Sequence, residues 1–271
     1  MATSTSLRYL HRRDHILVLP NAWDPASAAV FETLGAEAIA TTSAGFAWAN
    51  GCSDGEILPR RMLLDGVAAI ARVTKIPLTV DVEGGYSDDP VEVADLIRSL
   101  LGATRADGIN IEDGDDAPAL LENKIRAIRQ TAEQCGADLF INARVDVYLK
   151  DLVDREHALE ATLERAARYE VAGCDGIFVP GVSDAREIAA VVRSTALPVN
   201  VLAWPGLPTL DDLRKLGVRR LSAGSAIALR AFDFARTLGA DFLARGAAAI
   251  PFETSILKSA DLNSWMRMRR E

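Results

Sequence analysis

Four acidic residues in this 271-residue chain, Asp54, Asp81, Glu83 and Glu112, sit just after short apolar runs. Their segments read Ser53-Asp54-Gly55, Asp81-Val82-Glu83-Gly84-Gly85-Tyr86 and Asn110-Ile111-Glu112-Asp113. A single carboxylate of this kind would be a helix cap or half of an ion pair. Several that converge repel one another unless a cation neutralises them. Oxygen donors with no cysteine or histidine beside them select a hard ion, Mg2+ or Mn2+. Mg2+ keeps several waters, so few direct contacts are expected, Asp81 first, with water-bridged carboxylates around it. The competing reading of Asp81 and Glu83 is a structural salt bridge.

Arg144, in Asn142-Ala143-Arg144-Val145-Asp146, stands among these acids. A guanidinium fork matches a carboxylate bidentately, so Arg144 is expected to hold a substrate carboxylate or a developing enolate. Its alternative is pairing with Glu112 or Asp146. Thr42-Ser43-Ala44-Gly45 offers small side chains and backbone N–H groups suited to cradling a carboxylate, or else a plain tight loop. Trp23 and Asp24 follow the first apolar run, and Asn200 lies in the seventh; all three are substrate-binding candidates. Zinc and a histidine base find no support. His11 and His15 precede the first run, and His157 opens a helical segment. No GxSxG or P-loop sequence occurs.

Positioning these residues requires a repeated scaffold. Eight apolar, β-branched segments recur: Ile16–Leu19, Ala38–Thr41, Leu78–Asp81, Gly108–Glu112, Leu139–Ala143, Gly176–Val179, Val199–Leu202 and Arg220–Ser222. Their continuous apolar character suits parallel strands buried on both faces. Helical segments lie between them: Pro25–Leu34 (with Asp24 as N-cap), Arg60–Val73, Pro90–Leu101, Leu120–Gln134, Arg155–Ala172, Ala185–Thr195, Leu210–Leu216 and Ser225–Leu238. Gly35, Gly136, Gly173 and Gly217 follow helices as C′ glycines do. Eight βα units make a (β/α)8 TIM barrel, whose site lies at the C-terminal mouth. The acids and Arg144 all fall there. The barrel with a short leader is expected over residues 1–239. A tail over 240–271 adds the helices Asp241–Ala248 and Ser259–Arg270, separated by Pro251.

Composition narrows the function. Thirty Lys and Arg against 38 Asp and Glu give a net charge of −8, which disfavours a nucleic-acid surface. The basic run Arg267 to Arg270 reads as a solvated helix end. Apolar residues make up 49%, enough for a large core, yet no run nears the ~18 apolar residues of a membrane span. The first residues lack a secretory apolar run and read as a short exposed leader helix rather than a targeting peptide. Cys52, Cys135 and Cys174 form no CxxC pattern, which fits a reducing, cytoplasmic setting.

Six stretches together resemble the isocitrate lyase / phosphoenolpyruvate mutase superfamily. They are LPNAWDPASAAVFETLGAEAIATTSAG, DGEILPRRML, PLTVDVEGGYSD, GINIEDG, INARVDVYL and RAARYEVAGCDGIFVPG. The resemblance spans roughly residues 16–230 and implies a (β/α)8 barrel, independently of the strand count. It implies Mg2+ and an enolate of a small 2-oxo acid. Asp81 is similar to the family's direct metal ligand. Asp54, Glu83 and Glu112 resemble its water-bridged shell, with Glu83 in place of the commoner Asp. Arg144 resembles the arginine that supports the reacting carboxylate, and Trp23 the aromatic that packs on substrate. A homodimer or homotetramer is implied, with the last helix packed on a neighbour's barrel.

The chain departs from that pattern after the fourth segment. Family lyases carry a mobile loop there with a catalytic cysteine, and the mutase and phosphonopyruvate hydrolase branch carries an Asn-Ser pair. Here the segment is Gly114-Asp115-Asp116-Ala117-Pro118-Ala119-Leu120. Pro180 stands where the lyases place a Glu. Cys52 beside Asp54 offers a thiol from another direction, or simple packing. The expectation is a Mg2+-dependent carbon–carbon lyase acting on a 2-oxo or 2-hydroxy acid by retro-aldol cleavage or decarboxylation, through a metal-stabilised enolate. Asp54 and Arg144 are its catalytic candidates. Tyr86 is the candidate base for a hydroxy acid. The alternatives are a phosphonopyruvate-type hydrolase or mutase, and a 2-oxo-acid-binding barrel without catalysis.

Overall fold

The computed structural model describes residues 6–246 and 257–267. Nine parallel strands follow the order β1-β9-β8-β7-β6-β5-β4-β3-β2. They are β1 (Leu17–Leu19), β2 (Asn21–Ala22), β3 (Ile39–Thr41), β4 (Leu78–Asp81), β5 (Ala106–Glu112), β6 (Phe140–Arg144), β7 (Gly176–Val179), β8 (Val199–Leu202) and β9 (Arg220–Ser222). The first two are one stave interrupted at Pro20, which has no N–H for a ladder. β1 pairs with β9 and β2 with β3. Ala40 N donates to the Pro20 carbonyl at 3.1 Å and bridges the interruption. The eight expected segments are thus the staves of a (β/α)8 barrel.

The helices are α1 (Leu7–Arg12), α2 (Pro25–Thr33), α3 (Ser43–Ala49), α4 (Arg60–Val73), α5 (Pro90–Ala103), α6 (Pro118–Gln134), α7 (Ala158–Ala172), α8 (Ala185–Ser194), α9 (Leu210–Leu216), α10 (Ala226–Arg245) and α11 (Ser259–Trp265). One 3-10 turn, Arg155–His157, leads into α7. Side-chain caps set several starts. Asp24 and Ser27 form a reciprocal capping box at α2, and Thr209 caps α9, which ends on left-handed Gly217. Between strands and helices lies the main apolar core, with Ile109, Ile111, Ile141, Val179 and Val201 fully buried. A second apolar cluster joins Leu7 and Leu10 to Leu17, Leu19, Ala38, Ala40 and Phe140. Among the described residues no helix is long and apolar enough to cross a membrane.

Three elements differ from the sequence expectation. The leader helix is not exposed. α1 caps the N-terminal end of the barrel with Leu7 and Leu10 each 1% exposed. Burying two leucines stabilises by about 3–6 kcal/mol, more than a surface helix would gain. Gly108 makes room, because a Cβ there would lie 2.7 Å from Leu7 Cδ2. His11 is buried and stacks on Phe140 at 4.2 Å; burial and the nearby Arg220 charge lower its pKa to about 3. Arg8 ties the helix down through Asp138 and Asp175 at 2.5 Å each.

Thr42 to Gly45 is not a loop. Thr42 is the N-cap of α3, which carries its amides at a first helical turn. The helix after β9 does not stop at Leu238. α10 runs unbroken through Gly239 to Arg245, across the 239/240 boundary expected between barrel and tail. A lone interior glycine costs about 1 kcal/mol, too little to end a 20-residue helix. Ala228 is its one buried residue. The second tail helix ends at Trp265 within the described residues. Pro251, the end of the Asp241–Ala248 segment and the stretch from Met268 to Glu271 lie outside them.

Candidate active site

The ends of β4, β5 and β6 carry Asp81, Glu112 and Arg144 to one mouth. Asp81 closes β4, and its N–H donates to Thr41 Oγ1 at 2.8 Å. Its carboxylate receives only long contacts, from Glu83 N at 3.2 Å and Ser43 N at 3.5 Å. Burial pushes the Asp81 carboxyl up, Arg144 opposes this, and the Asp54 charge adds to it. Its oxygens therefore keep free lone pairs in a site that disfavours an uncompensated negative charge.

Arg144 is committed on both sides. Nη1 meets Glu112 Oε2 at 2.5 Å, while Nε and Nη2 grip Asp146 at 2.6 and 3.1 Å. Both pairings raised as alternatives for Arg144 are present together. Burial would push the guanidinium down, but Glu112, Asp146 and Asp81 outweigh it and keep Arg144 protonated. Burial pushes Glu112 up as well, against Arg144, with Asp146 and Asp81 adding to the rise. Behind Asp146 stands a support absent from the sequence reading. Asp146 N donates to Asp113 Oδ1 at 2.9 Å, and Asp113 Oδ2 accepts from Tyr169 at 2.6 Å and Arg165 at 2.8 Å.

Glu83 is employed differently from Asp81. Its Oε2 accepts from Gly55 N at 3.0 Å and Glu56 N at 2.6 Å, and its Oε1 accepts from Tyr86 Oη at 3.0 Å. Glu56 returns the favour by accepting from Tyr86 N at 2.6 Å. Glu56, Glu83 and Tyr86 all have positive φ (61°, 51° and 62°), a strained region for side-chain-bearing residues. The added methylene of Glu over Asp lets residue 83 latch the Asp54 loop to the β4–α5 loop. Asp54 itself is exposed, yet close enough for its charge to push both Asp81 and Glu83 up. Burial and Glu83 raise Tyr86, so the phenol keeps its proton. That argues against Tyr86 as a base.

The remaining candidates divide. Trp23 is half-buried against Phe31 and Phe232, with ring centroids at 6.2 and 6.3 Å. Gly45 lets Trp23, Thr42 and α10 close together, since a Cβ there would lie 2.8 Å from Thr42 Cγ2 and 3.0 Å from Ala228 Cβ. Thr42 Oγ1 and Gly45 N are 3.5 Å apart, and Ser43 and Ala44 add the first amides of α3. Asp24 caps α2 by accepting from Ser27 N at 2.6 Å, which uses its carboxylate structurally. Asn200 lies inside the barrel below the mouth, accepting from Ser222 Oγ at 3.3 Å. Cys52 Sγ is 3.9 Å from the Asn50 carbonyl, a packing position. The Gly114–Ala117 connection is a tight turn held by Arg165, which donates to the Asp116 carbonyl at 3.2 Å.

Among the described residues no three or more His, Cys, Asp and Glu close around a metal position. Among the described residues that donor set builds no all-protein cage. It fits Mg2+, which takes one or two carboxylates and fills its octahedron with water and substrate. Asp81 supplies the free oxygens, and Glu112 and Asp54 stand within electrostatic reach of it. Sequence reasoning missed Arg220, fully buried inside the barrel. The signal was the Arg219-Arg220 pair in a strand: alternation must turn one of them inward.

A family model described as phosphoenolpyruvate phosphomutase matches residues 7–243. A Mycobacterium tuberculosis (strain ATCC 25618 / H37Rv) protein is 42% identical over 225 residues, 81% of this chain and 82% of its own. An oxaloacetate decarboxylase of Paraburkholderia xenovorans (strain LB400) is 28% identical over 233 residues, 81% of this chain and 74% of its own. A solved structure from Burkholderia cenocepacia J2315 superposes with a TM-score of 0.80 at 41% identity, covering 85% of this chain and 96% of that one.

Proposed function

We propose that this chain, which belongs to the phosphoenolpyruvate phosphomutase family of the isocitrate lyase / phosphoenolpyruvate mutase superfamily, is a Mg2+-dependent carbon–carbon lyase for a small 2-oxo or 2-hydroxy acid. The observation that carries this is that lightly engaged Asp81 stands within electrostatic reach of Arg144, which is clamped in orientation by Glu112 and Asp146. Asp81 would hold the ion, with Glu112 and Asp54 reaching it through water. Bound there, Mg2+ supplies Lewis-acid polarisation of a 2-oxo group and its carboxylate. Arg144 orients the substrate and stabilises negative charge that grows on the 2-oxo oxygen when the adjacent bond breaks. The amides of Ser43 and Ala44 receive the substrate carboxylate, and Trp23 walls the site. Tyr86 keeps its proton and donates a hydrogen bond to Glu83, so it does not serve as the base.

Decarboxylation asks least of this site. It needs no base to start, and the tight Gly114–Ala117 turn carries no cysteine, histidine or lysine to serve as one. The 28% identity to an oxaloacetate decarboxylase supports the same choice. The test is incubation with Mg2+ and oxaloacetate, isocitrate, 2-methylisocitrate or phosphonopyruvate, following products by NMR, with EDTA and Asp81→Ala as controls. Metal-dependent release of pyruvate from oxaloacetate is expected. Phosphate release from phosphonopyruvate would favour the hydrolase reading. Metal-dependent ligand binding without turnover of any compound would favour a binding barrel.

The working form is a homodimer or homotetramer. On the outer face of β1 and β9 a groove of about 450 Å³ stays open, lined by Val18, Phe31, Leu34, Leu221 and Ile227. α10 meanwhile exposes Leu229, Phe234, Phe242 and Leu243. A neighbour's α10 laid in that groove satisfies both apolar faces.

A further inference from the structure

Arg220 lies beneath the acidic mouth and takes no part in the chemistry described above. It is 0% exposed on β9, with Asn200 and Leu17 as its neighbours across the strands. Among the described residues its one side-chain hydrogen bond runs from Nη2 to Asn110 Oδ1 at 3.2 Å, an oxygen that also accepts from Asn142 Nδ2 at 2.9 Å. Nε and Nη1 have no partner among the described residues. The groups near it are neutral: Asn110, which accepts its hydrogen bond, Asn200 across the strand and, from α1, His11, which burial and the Arg220 charge hold uncharged. A buried guanidinium normally demands a carboxylate in contact. Burial pushes the guanidinium down to about 9, and the opposite charge that resists this is Asp81, which stands beside Asn110 in the strand register. Arg144 gives its charge to Glu112 and Asp146, so it does not balance Asp81 alone.

We infer that Arg220 is a positioning residue whose fixed charge, held under Asp81 through the Asn110–Asn142 floor, offsets the acidic mouth and limits its affinity for a divalent cation. This rests on the metal-site reading above. The inference separates charge from packing. A merely structural arginine, once replaced, would loosen the floor and weaken metal binding. A counter-charge, once removed, leaves the carboxylates less compensated and strengthens it.

The experiment uses Mn2+ as probe on the full-length, EDTA-stripped protein, with binding followed by titration calorimetry at neutral pH. Arg220→Met is expected to tighten the Mn2+ dissociation constant about tenfold, and Arg220→Lys to leave it within about twofold. Folded R220M with unchanged or weaker binding overturns the inference. A wild-type protein that binds no Mn2+ refutes the metal-site reading instead. The charge pairing is then decided by thermal melts of Asp81→Asn, R220M and the double variant. If each single change lowers Tm and the double recovers at least half of the loss, the pairing stands. Additive losses overturn it. If R220M fails to fold alone, the double variant decides: recovery of folding supports the inference and failure overturns it.

Discussion

Replacing Tyr169 with Phe removes one hydroxyl and leaves the ring. That hydroxyl is a proton donor to Asp113 Oδ2 at 2.6 Å, and burial and Asp113 both raise the phenol's pKa, so it stays a donor. Both side chains are buried, with Asp113 at 0% side-chain exposure. A hydrogen bond to a charged acceptor contributes roughly 1.5–3 kcal/mol. Asp113 keeps Arg165 and Asp146 N as donors, so the lower part of that range applies, about 2 kcal/mol. At this chain length each kcal/mol moves Tm by roughly 2–4 °C, so Tyr169→Phe should melt about 4–8 °C earlier by circular dichroism. The urea midpoint should fall with an unchanged slope, since the surface exposed on unfolding is the same. The change also reaches the mouth, because Asp113 fixes Asp146 and Asp146 fixes Arg144. With a substrate in hand, kcat should fall more than KM rises. A folded variant melting within about 1 °C of wild type would refute the reasoning, because Asp113 would then be held without the phenol.

Two further outcomes are expected. In metal-free protein, burial, with added repulsion from Asp81 and Asp54, holds Glu83 up at about 6, above its unfolded value of 4.5. The stability Glu83 contributes is therefore whole below pH 4.5 and is lost as pH rises through about 6. Glu83→Gln is uncharged throughout, so its plot of Tm against pH should be flatter across that window; parallel curves would contradict the assignment. Leu229→Glu combined with Phe234→Arg should convert the oligomer to a monomer by light scattering, and an unchanged mass would remove α10 from the interface.

The barrel was legible because its signals are local and repeated. Continuous apolar runs such as Gly176–Val179, and helix ends such as Gly217, need no knowledge of distant residues. The mouth was legible for the same reason: a barrel sends whatever follows each strand to one end. What escaped was decided across the chain. Leu7 and Leu10 look like an exposed leader until Gly108 and Phe140 are seen to receive them. Glu83 and Asp81 are alike in type, and only the partners Gly55, Glu56 and Tyr86 separate a latch from a free carboxylate. Asp24 is legible as a cap, and one of its carboxylate oxygens serves Ser27 rather than a substrate. Asp113 shows in the sequence only as part of a strand-end motif, because its partners Arg165 and Tyr169 lie more than fifty residues downstream.

The docking of α1 has a consequence for how the chain is made. Arg8 binds Asp138 and Asp175, 130 and 167 residues away, and β1 finds its partner only in β9 at Arg220 to Ser222. During synthesis the segment from Leu7 to Leu19 emerges long before Asp138, Asp175 or β9 exists. Leu7, Leu10, Leu17 and Leu19, all buried in the finished barrel, complete their packing only after Phe140 and β9 have been made. Contacts of such sequence separation are slow to form, because loop closure is paid for before they reward it. The segment from Leu7 to Leu19 therefore carries contacts of the longest sequence separation among the described residues, and shielding it matters most while the rest of the barrel is being made.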